Sequence, residues 1–356
     1  MNKRASLLVY VLGMMALLSA MFVLVFDAVK TSVAPKACDL ENAQLRIDAY
    51  NALNAAVAII EEYRYLDGGI FAPEQGWNLP LNDGRIGFLS ENKVSVAVSD
   101  ESAKISLPNA NAEILSALFQ TMDIPESDAI ELADCFMDWV DSDSNPRLKG
   151  AETDDYDRSA PKPPNRNIRD FYELRFVKNF GKYFFDENGR ENDNYKLFVQ
   201  STSLELFEKV NVNTASPFVI QTFYKKQDKE LDASVVDAIK GIGVSVENGI
   251  TWVRNFSELQ NRGVEFLSDG FACESSLLKI SVKVSRGAAF FELCAYYGEE
   301  PKSTMSQTST RRNSKTNGAF SGSRARSGKT AKDFGNSNSK VGAKILRISE
   351  YSSECY

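Results

Sequence analysis

The feature that most constrains the fold is an apolar run close to the N-terminus. The 22 residues from Ala5 to Phe26 contain no charged side chain. At 1.5 Å per residue, a helix of this length matches the roughly 30 Å hydrocarbon core of a bilayer. Lys3 and Arg4 precede the run, and positive residues flank the cytoplasmic end of a span. The sequence therefore predicts a single span with a cytoplasmic N-terminus and an exported body.

A cleaved secretory signal is the alternative explanation of the same run. Ser32, Val33 and Ala34 offer a small-residue cleavage site, after which the mature chain would begin at Pro35. Signal peptides carry an apolar region of about 7 to 15 residues. Because the run here is longer than that, the sequence favours a retained anchor.

Helical periodicity continues beyond the apolar run. One long helix, half in the bilayer and half packed on a soluble domain, is the simplest interpretation, with a kink expected where Pro35 lacks a backbone donor. An anchor helix followed by a separate helix is the alternative. The apolar residues that recur at three- and four-residue spacing are Leu45, Ala49, Ala52, Leu53, Ala56, Val57 and Ile60, which is one face of a helix.

Strand and helix patterns then follow one another in blocks. Helical spacing extends from Asn109 to about Phe271, with strand patterns on both sides. This order predicts an α+β fold in which an α-helical domain is inserted into a smaller α/β domain. The strand patterns, the first two of which suggest a hairpin, lie at Arg85–Leu89, Lys93–Val98, Ala103–Leu107, Leu277–Val284, Ala288–Tyr297 and Lys344–Tyr351.

A basic segment separates the last two strand patterns. Residues 302–347 contain eleven Lys and Arg against the single acid Asp333, so this part carries a charge of +10 and the rest −17 within the net −7. Its Ser/Gly/Asn-rich composition over 301–340 is typical of a solvated linker. Docking onto an acidic surface is the other interpretation. Neither regular spacing nor interleaved aromatic residues support nucleic-acid binding.

The side chains available for chemistry are restricted. The chain has no histidine, which excludes Ser/His and Cys/His catalytic groups and histidine-ligated metals. Five cysteines stand far apart with no CxxC, which gives no thiolate zinc motif. In an oxidising compartment Cys273 could pair with Cys294, or Cys294 with Cys355, and free buried thiols are equally compatible with the sequence.

An acidic loop follows the helical stretch that ends at Val140. Its oxygen-bearing side chains alternate from Asp141 to Asn145, and further carboxylates follow from Glu152 to Asp157. Oxygen ligands in this pattern suit a hard cation such as calcium, although Pro146 stands where an EF-hand has glycine. Solvated helix caps are the simpler interpretation of such a loop. A carboxylate pair for glycoside chemistry is a third interpretation, which the sequence does not favour because nothing among so many acids selects an acid and a nucleophile.

Several motifs together resemble the type II secretion system minor pseudopilin K family, also called general secretion pathway protein K. The resemblance extends from residue 1 to about 297. Its most specific part is the tryptophan-aspartate loop with the Gly-Ala-Glu that follows. The motifs are Lys-Arg before the apolar helix, DWVDSDSNP…GAETDDY from Asp138 to Tyr156, Pro161–Asn165 leading into Tyr172-Glu173-Leu174, and VNVNTA from Val210 to Ala215.

The resemblance implies a single-pass inner-membrane protein whose bulk lies in the periplasm, a structural component and not an enzyme. Its partners would be the I- and J-type minor pseudopilins, with which it would occupy the pseudopilus tip, the major pseudopilin and prepilin peptidase. The fold implied is a long N-terminal transmembrane helix and a pilin-like α/β domain with a large inserted α-helical domain. It divides the chain into a leader (1–5), the membrane half of the helix (6–26), the other helix half with the first strands (27–108), the inserted domain (109–275) and the closing strands (276–356).

Site residues implied by the resemblance are calcium ligands and a processing site. Prepilin cleavage would fall between Ala5 and Ser6, where the family usually has glycine and then phenylalanine or methionine, and the new N-terminus would be methylated. No other cofactor and no catalytic residue are implied. The calcium ligands implied are Asp141, Asp143 and Glu152, with Asn145 and Asp155 as further candidates.

The Asn-x-Asn-Thr-Ala segment also suggests a different function. It resembles the start of a helix-hairpin-helix module, in which Thr or Ser caps a helix and a turn such as Gly241-Ile242-Gly243 presents amides to phosphate. The alternative is then a membrane-anchored periplasmic nucleic-acid-binding protein. Glu205–Asp269 contains ten acids and seven bases. A surface of this charge repels a polyanion, so we expect no nucleic-acid partner.

Overall fold

A computed structural model describes residues 3–83, 92–243, 249–287, 289–299 and 343–352 of the chain. The dominant element is a single helix, α1, from Lys3 to Asp67. At 1.5 Å per residue its 65 residues extend over about 98 Å. The helix is continuous through Pro35, so the anchor and the periplasm-facing half predicted from the sequence form one element.

The second half of α1 packs on a four-stranded sheet. The strands are β1 (Lys93–Asp100), β6 (Leu277–Arg286), β7 (Ala289–Gly298) and β8 (Lys344–Ser352), in the order β1-β6-β7-β8. Every pair is antiparallel. Alternate strand residues and the apolar stripe of α1 form one hydrophobic core, which includes the fully buried Leu53, Ile60, Trp77, Ile280 and Ala295. These strands confirm the α+β fold predicted from the alternating pattern.

Two of the expected strands differ in detail. The described partner of β1 is β6, with Val96 opposite Val282, whereas the sequence suggested residues 85–89, which lie outside the described residues. The pattern at 103–107 becomes a strand of two residues, β2 (Ile105–Ser106), parallel to β3 (Thr202–Ser203). Pro108 limits β2, because proline cannot donate to a ladder, and a short 3-10 turn follows at Leu107–Asn109.

Helices fill the interval between β1 and β6, as the change of period predicts. An Asn or Ser residue caps many of them: Asn111 Oδ1 accepts from Ile114 N at 3.0 Å, and Ser216 Oγ from Val219 N at 3.2 Å. Two further short strands, β4 (Val210–Asn211) and β5 (Phe271–Ala272), pair in parallel. The helices are α2 (Ala112–Thr121), α3 (Glu126–Val140), α4 (Phe180–Phe184), α5 (Asp193–Ser201), α6 (Pro217–Lys225), α7 (Ala233–Ile239) and α8 (Phe256–Asn261).

The helical domain has a hydrophobic core of its own. Phe119 lies at its centre, with ring centroids 5.7 to 6.0 Å from those of Phe180, Phe184 and Phe198. All four rings are fully buried. Most of the buried apolar side chains among the described residues belong either to this cluster or to the separate cluster between α1 and the sheet. Two cores therefore stand side by side, and polar groups lie at the junction between them.

Candidate metal centre

The acidic loop is fastened at both ends to the core of the helical domain. Phe136 and Trp139 of α3 are buried, and Asp141 is the C-terminal cap of this helix. The ring centroids of Trp139 and Tyr156 lie 5.7 Å apart, and Ala151 is fully buried. The apolar anchors on either side hold the polar side chains between them close to one another.

Three of the predicted ligands come together in this loop. Carboxylate oxygens of Asp141, Asp143 and Glu152 all lie within 4.8 Å of one another. Glu152 is only 5% exposed. Neither of its carboxylate oxygens accepts a hydrogen bond from the described part of the chain, and the same holds for Asp141 Oδ1. Leaving a buried acceptor unpaired costs about 1–3 kcal/mol, so these oxygens favour a bound cation.

The other two predicted ligands support this group through hydrogen bonds. Asn145 donates from its backbone N and from Nδ2 to Asp143 Oδ1, at 2.8 and 3.1 Å. Asp155 Oδ2 accepts from the backbone N of Glu152 at 3.0 Å. Asp155 lies outside the group of three carboxylates. In this structure both residues orient the backbone or side chain of a neighbouring candidate ligand.

Sequence reasoning missed a fourth carboxylate, Asp138, which is fully buried beneath the loop. Its Oδ2 accepts from the backbone N of Arg147 at 3.0 Å, and its Oδ1 lies 3.4 Å from Arg147 Nε. A Cβ atom at Gly150 would lie 1.8 Å from Asp138 Oδ2. Glycine is therefore required at position 150 for the loop to close over Asp138. The burial of Asp138 could have been inferred from its position next to Trp139, on the face of α3 that carries the apolar residues.

The electrostatic environment disfavours negative charge on Glu152 and Asp138 in the absence of a cation. Burial raises the pKa of Glu152, and the nearby negative charges of Asp138 and Asp141 raise it further. Burial also raises the pKa of Asp138, although the hydrogen bond from Arg147 N opposes this shift. Arg147 Nη2 lies 3.5 Å from Asp141 Oδ2 and supplies some positive charge at the rim. Three converging carboxylates, two of which have buried unpaired oxygens, fit a hard divalent cation, which prefers oxygen ligands.

The acidic loop lies within a stretch that matches a known protein family. The family model described as type II secretion system (T2SS), protein K, matches residues 92–187. The type II secretion system protein K of Klebsiella pneumoniae is 30% identical to this chain over 114 residues. In this region the chain resembles the type II secretion system protein K family.

The aligned region covers 29% of this chain and 34% of the Klebsiella pneumoniae protein K. The chain thus spans about a third of the length of the curated relative that it matches. The family match includes β1, α2, α3 and all five predicted ligands. The family match therefore covers the part of the molecule that carries the candidate metal centre.

A solved structure shows the same fold over nearly the whole chain. It is a chain of the GspK-GspI-GspJ complex from the enterotoxigenic Escherichia coli type 2 secretion system. The TM-score is 0.55 at 14% sequence identity, and the match covers 90% of this chain and 99% of that one. At this identity the likeness establishes the fold, including the helical insertion expected for the protein K family.

The segment that suggested nucleic-acid binding makes contacts inside the protein. Thr214 does not cap the following helix; its Oγ1 donates to Asp100 Oδ2 at 2.5 Å. Ser216 caps α6 instead. Gly241 and Gly243 both have positive φ, 67° and 72°, as expected for a tight turn. The Thr214 side chain thus points to the junction between the two cores, where Asp100 lies.

Cys135, Cys273 and Cys294 are free thiols in the structure. The structure therefore contains no bond between Cys273 and Cys294, and these two cysteines follow the free-thiol alternative. The other pairing, Cys294 with Cys355, involves a residue outside the described residues. Burial raises the pKa of both Cys135 and Cys273 to about 12. Both side chains are packed in the core of the helical domain, where they act as small apolar groups.

Proposed function

We propose that this chain is a minor pseudopilin that initiates or caps the pseudopilus of a type II secretion system. The observation that carries the proposal is the protein K family match at residues 92–187. The fold supports it, because the helix that resembles a membrane anchor is also the element on which the sheet packs. Movement of that helix would carry the folded domains with it.

The first half of α1 needs apolar surroundings from outside the chain. Among the described residues, the segment Tyr10–Asp27 is long and apolar enough to cross a membrane. Its side chains are exposed, including Leu17, Phe22 and Leu24, each at least 70% exposed. The hydrocarbon core of a bilayer, or the corresponding helices of neighbouring subunits, would cover such a surface. We place the remaining chain in the periplasm on the positive-inside argument.

The helical domain suggests a position at the end of a fibre. It extends the chain beyond the sheet by the whole interval between β1 and β6. A domain of this size would obstruct a further subunit above, whereas α1 remains free to pack below. The fold neighbour comes from a complex with GspI and GspJ, so we propose the corresponding I- and J-type minor pseudopilins as direct partners, with the major pseudopilin below them.

Prepilin peptidase is the processing partner in this proposal. It would cleave between Ala5 and Ser6, and the Ser6 amine would then be methylated. Intact mass and N-terminal sequencing of protein from its native membrane test this step. A start at Ser6 supports processing, whereas a start at Pro35 or an intact Met1 contradicts it.

We also propose that Asp141, Asp143 and Glu152 hold a structural calcium ion. The support is the unpaired buried oxygens of Glu152 and Asp141, which lie close to the exposed Asp143 carboxylate. Calcium would coordinate such oxygens at about 2.3–2.6 Å. Asn145 and Asp155 remain predicted further ligands. In the structure they form hydrogen bonds with Asp143 and Glu152, respectively. A bound ion would supply positive charge between the carboxylates and close the loop over Asp138, while the chain itself provides the fixed oxygen donors.

Co-purification tests the proposed function directly. The tagged full-length chain is co-expressed with the I- and J-type minor pseudopilins of its own secretion system and purified from membranes. We expect all three proteins to elute together and the chain to restore secretion in a strain that lacks protein K. Failure of both results would refute the pseudopilin proposal. Binding of duplex DNA by the full chain at physiological salt would instead favour the nucleic-acid alternative.

A further inference from the structure

A buried carboxylate, Asp100, lies where the two cores meet. It is the last residue of β1, and 8% of its surface is exposed. Its Oδ1 accepts from the backbone N of Ser102 at 2.9 Å and from Ser102 Oγ at 2.5 Å. Its Oδ2 accepts from Asn211 Nδ2 at 2.8 Å, Thr214 Oγ1 at 2.5 Å and Ser275 Oγ at 2.6 Å. One carboxylate thus receives five hydrogen bonds.

The donors to Asp100 come from separate parts of the fold. Ser102 follows β1, Asn211 and Thr214 belong to the helical domain, and Ser275 precedes β6. Ser276 N also donates to Ser102 Oγ at 3.1 Å. The chain leaves the sheet after Asp100 and returns through Ser275. Both crossings between the sheet and the helical domain therefore meet at the same carboxylate.

Asn211 extends this network to the end of α1. Its Nδ2 also donates to the backbone O of Phe71 at 2.8 Å. Phe71 N donates to Gln75 Oε1 at 2.6 Å, and Gln75 Nε2 donates to Asp67 Oδ2 at 2.7 Å. Asp67 is the last residue of α1. A continuous chain of hydrogen bonds consequently links the end of the long helix to the helical domain.

Asn213 fastens the same segment to the helical domain. Its Nδ2 donates to the backbone O of Val253 at 2.8 Å and of Cys273 at 2.7 Å. Its Oδ1 accepts from Val253 N at 2.7 Å. The two asparagines of the Asn-x-Asn-Thr motif thus have complementary positions: Asn211 contacts the junction, and Asn213 holds the segment against the domain behind it.

The chemistry of the network favours a role in orienting the helical domain relative to the sheet. The described hydrogen-bond partners of Asp100 are neutral hydroxyl and amide groups. Burial raises the pKa of Asp100, and the hydrogen bonds from the surrounding side chains act in the opposite direction. A buried charge without a cationic partner is costly, and packed apolar groups often stabilise a junction equally well. Directional hydrogen bonds, unlike apolar contacts, define a single arrangement of the groups they join.

We propose that the network of Asp100, Ser102, Asn211, Thr214 and Ser275 is a joint that fixes the orientation of the helical domain on α1 and the sheet. The consequence of this joint, which rests on the proposed function, is that axial movement of α1 displaces the helical domain as a rigid body. Packing within each core does not require this orientation, since the two hydrophobic clusters are separate. Loss of the joint is therefore expected to free the orientation while each core stays folded.

Distance measurements between the two cores test the joint. Spin labels are attached to noncanonical residues at two exposed positions of the full-length chain in detergent, Ser95 on β1 and Asp237 on α7. Thr214→Val removes one donor to Asp100. Thr222→Val is the control for the loss of a threonine hydroxyl in the helical domain. Thr222 is fully buried, whereas Thr214 is half-buried, and Thr222 Oγ1 donates within α6, to Phe218 O at 3.0 Å.

We expect one narrow distance peak for the wild type and for the Thr222→Val control, and loss of that peak in Thr214→Val. Thr214→Ser keeps the hydroxyl and is expected to restore it. Should Thr214→Val unfold, Ser275→Ala, which removes another donor, replaces it in the comparison. A Thr214→Val or Ser275→Ala distribution as narrow as the control would overturn the joint.

A secretion assay separates the two proposals. If Thr214→Val still binds the I- and J-type minor pseudopilins but secretes less than Thr222→Val, both the joint and its role in the fibre are supported. If deletion of the whole chain leaves secretion unchanged, the proposed function fails, and the distance measurement still decides whether the joint exists.

Discussion

Replacing Glu152 by glutamine distinguishes a calcium site from a solvated acidic loop. The two side chains have nearly the same shape, so the substitution removes charge without leaving a cavity. Glu152 is the most buried member of the candidate site, and both of its carboxylate oxygens lack hydrogen-bond donors among the described residues. The effect of Glu152→Gln on the free energy of unfolding should therefore have opposite signs in the presence and absence of calcium.

With calcium, the wild type should gain stability from binding. At a free concentration 100 times the dissociation constant, a ligand specific for the folded state contributes about 2.7 kcal/mol. For a domain of 150–250 residues this corresponds to an increase in melting temperature of about 5–11 °C. Glu152→Gln loses a charged ligand, so most of this increase should disappear.

Without calcium, the same variant should be more stable than the wild type. Two unit charges 4.8 Å apart, the limit of separation between the carboxylate oxygens, repel by about 3.5 kcal/mol at an effective dielectric constant of 20. Proton uptake relieves part of this repulsion, because the pKa of Glu152 is raised. We expect a remaining gain on the order of 1 kcal/mol for the neutral glutamine.

Thermal unfolding of the full chain in detergent, with calcium or with a chelator, measures both effects. Asp154→Asn is the matched control, because Asp154 is an exposed carboxylate of the same loop outside the group of three. It should behave as the wild type in both buffers. An equal calcium-induced increase in Glu152→Gln and in the wild type would refute the assignment of Glu152 as a ligand.

Two further predictions concern close packing in the helical domain. Gly150→Ala should destabilise the protein by about 2–4 kcal/mol in thermal or denaturant unfolding, because its Cβ would lie 1.8 Å from Asp138 Oδ2. Gly181→Ala is the control and should leave the stability unchanged, because its Cβ meets no atom within 4 Å. Equal destabilisation by the two substitutions would contradict the close approach of Gly150 to Asp138. Cys135 and Cys273, with pKa raised to about 12, should react with iodoacetamide at pH 8 about a thousandfold more slowly than unfolded chain, and tenfold faster per pH unit. Mass spectrometry of the labelled peptides measures the alkylation rate of each cysteine. Alkylation rates of the native protein equal to those in denaturant would disprove the burial of the thiols.

The local patterns of the sequence predict α1 and the strand positions well. The apolar stripe from Leu45 to Ile60 and the alternating residues of β6 and β7 each repeat with the period of their element. The pairing of β1 with β6 could not be predicted in this way. These strands are separated by the whole helical domain, and pairing across such a distance depends on tertiary packing that no short window contains.

The candidate metal centre was partly predictable for a similar reason. Asp141 and Asp143 stand two residues apart in an evident acidic loop, and the family resemblance added Glu152. Asp138 was missed because a carboxylate within a helix is usually solvent-exposed. Its burial depends on Gly150, twelve residues later, which allows the loop to fold over it. Neither residue is informative without the other.

Two separate hydrophobic cores also explain why the junction between them is polar. An apolar interface would merge the cores, and its contacts would tolerate several arrangements of similar energy because they are not directional. At Asp100 the hydrogen-bond distances to Asn211, Thr214 and Ser275 must be met together. In a subunit that is moved along a fibre axis, such a junction would keep the helical domain aligned with α1 during each displacement. The five hydrogen bonds to Asp100 thus compensate for the desolvation of its carboxylate, and their directions define a single orientation of the helical domain.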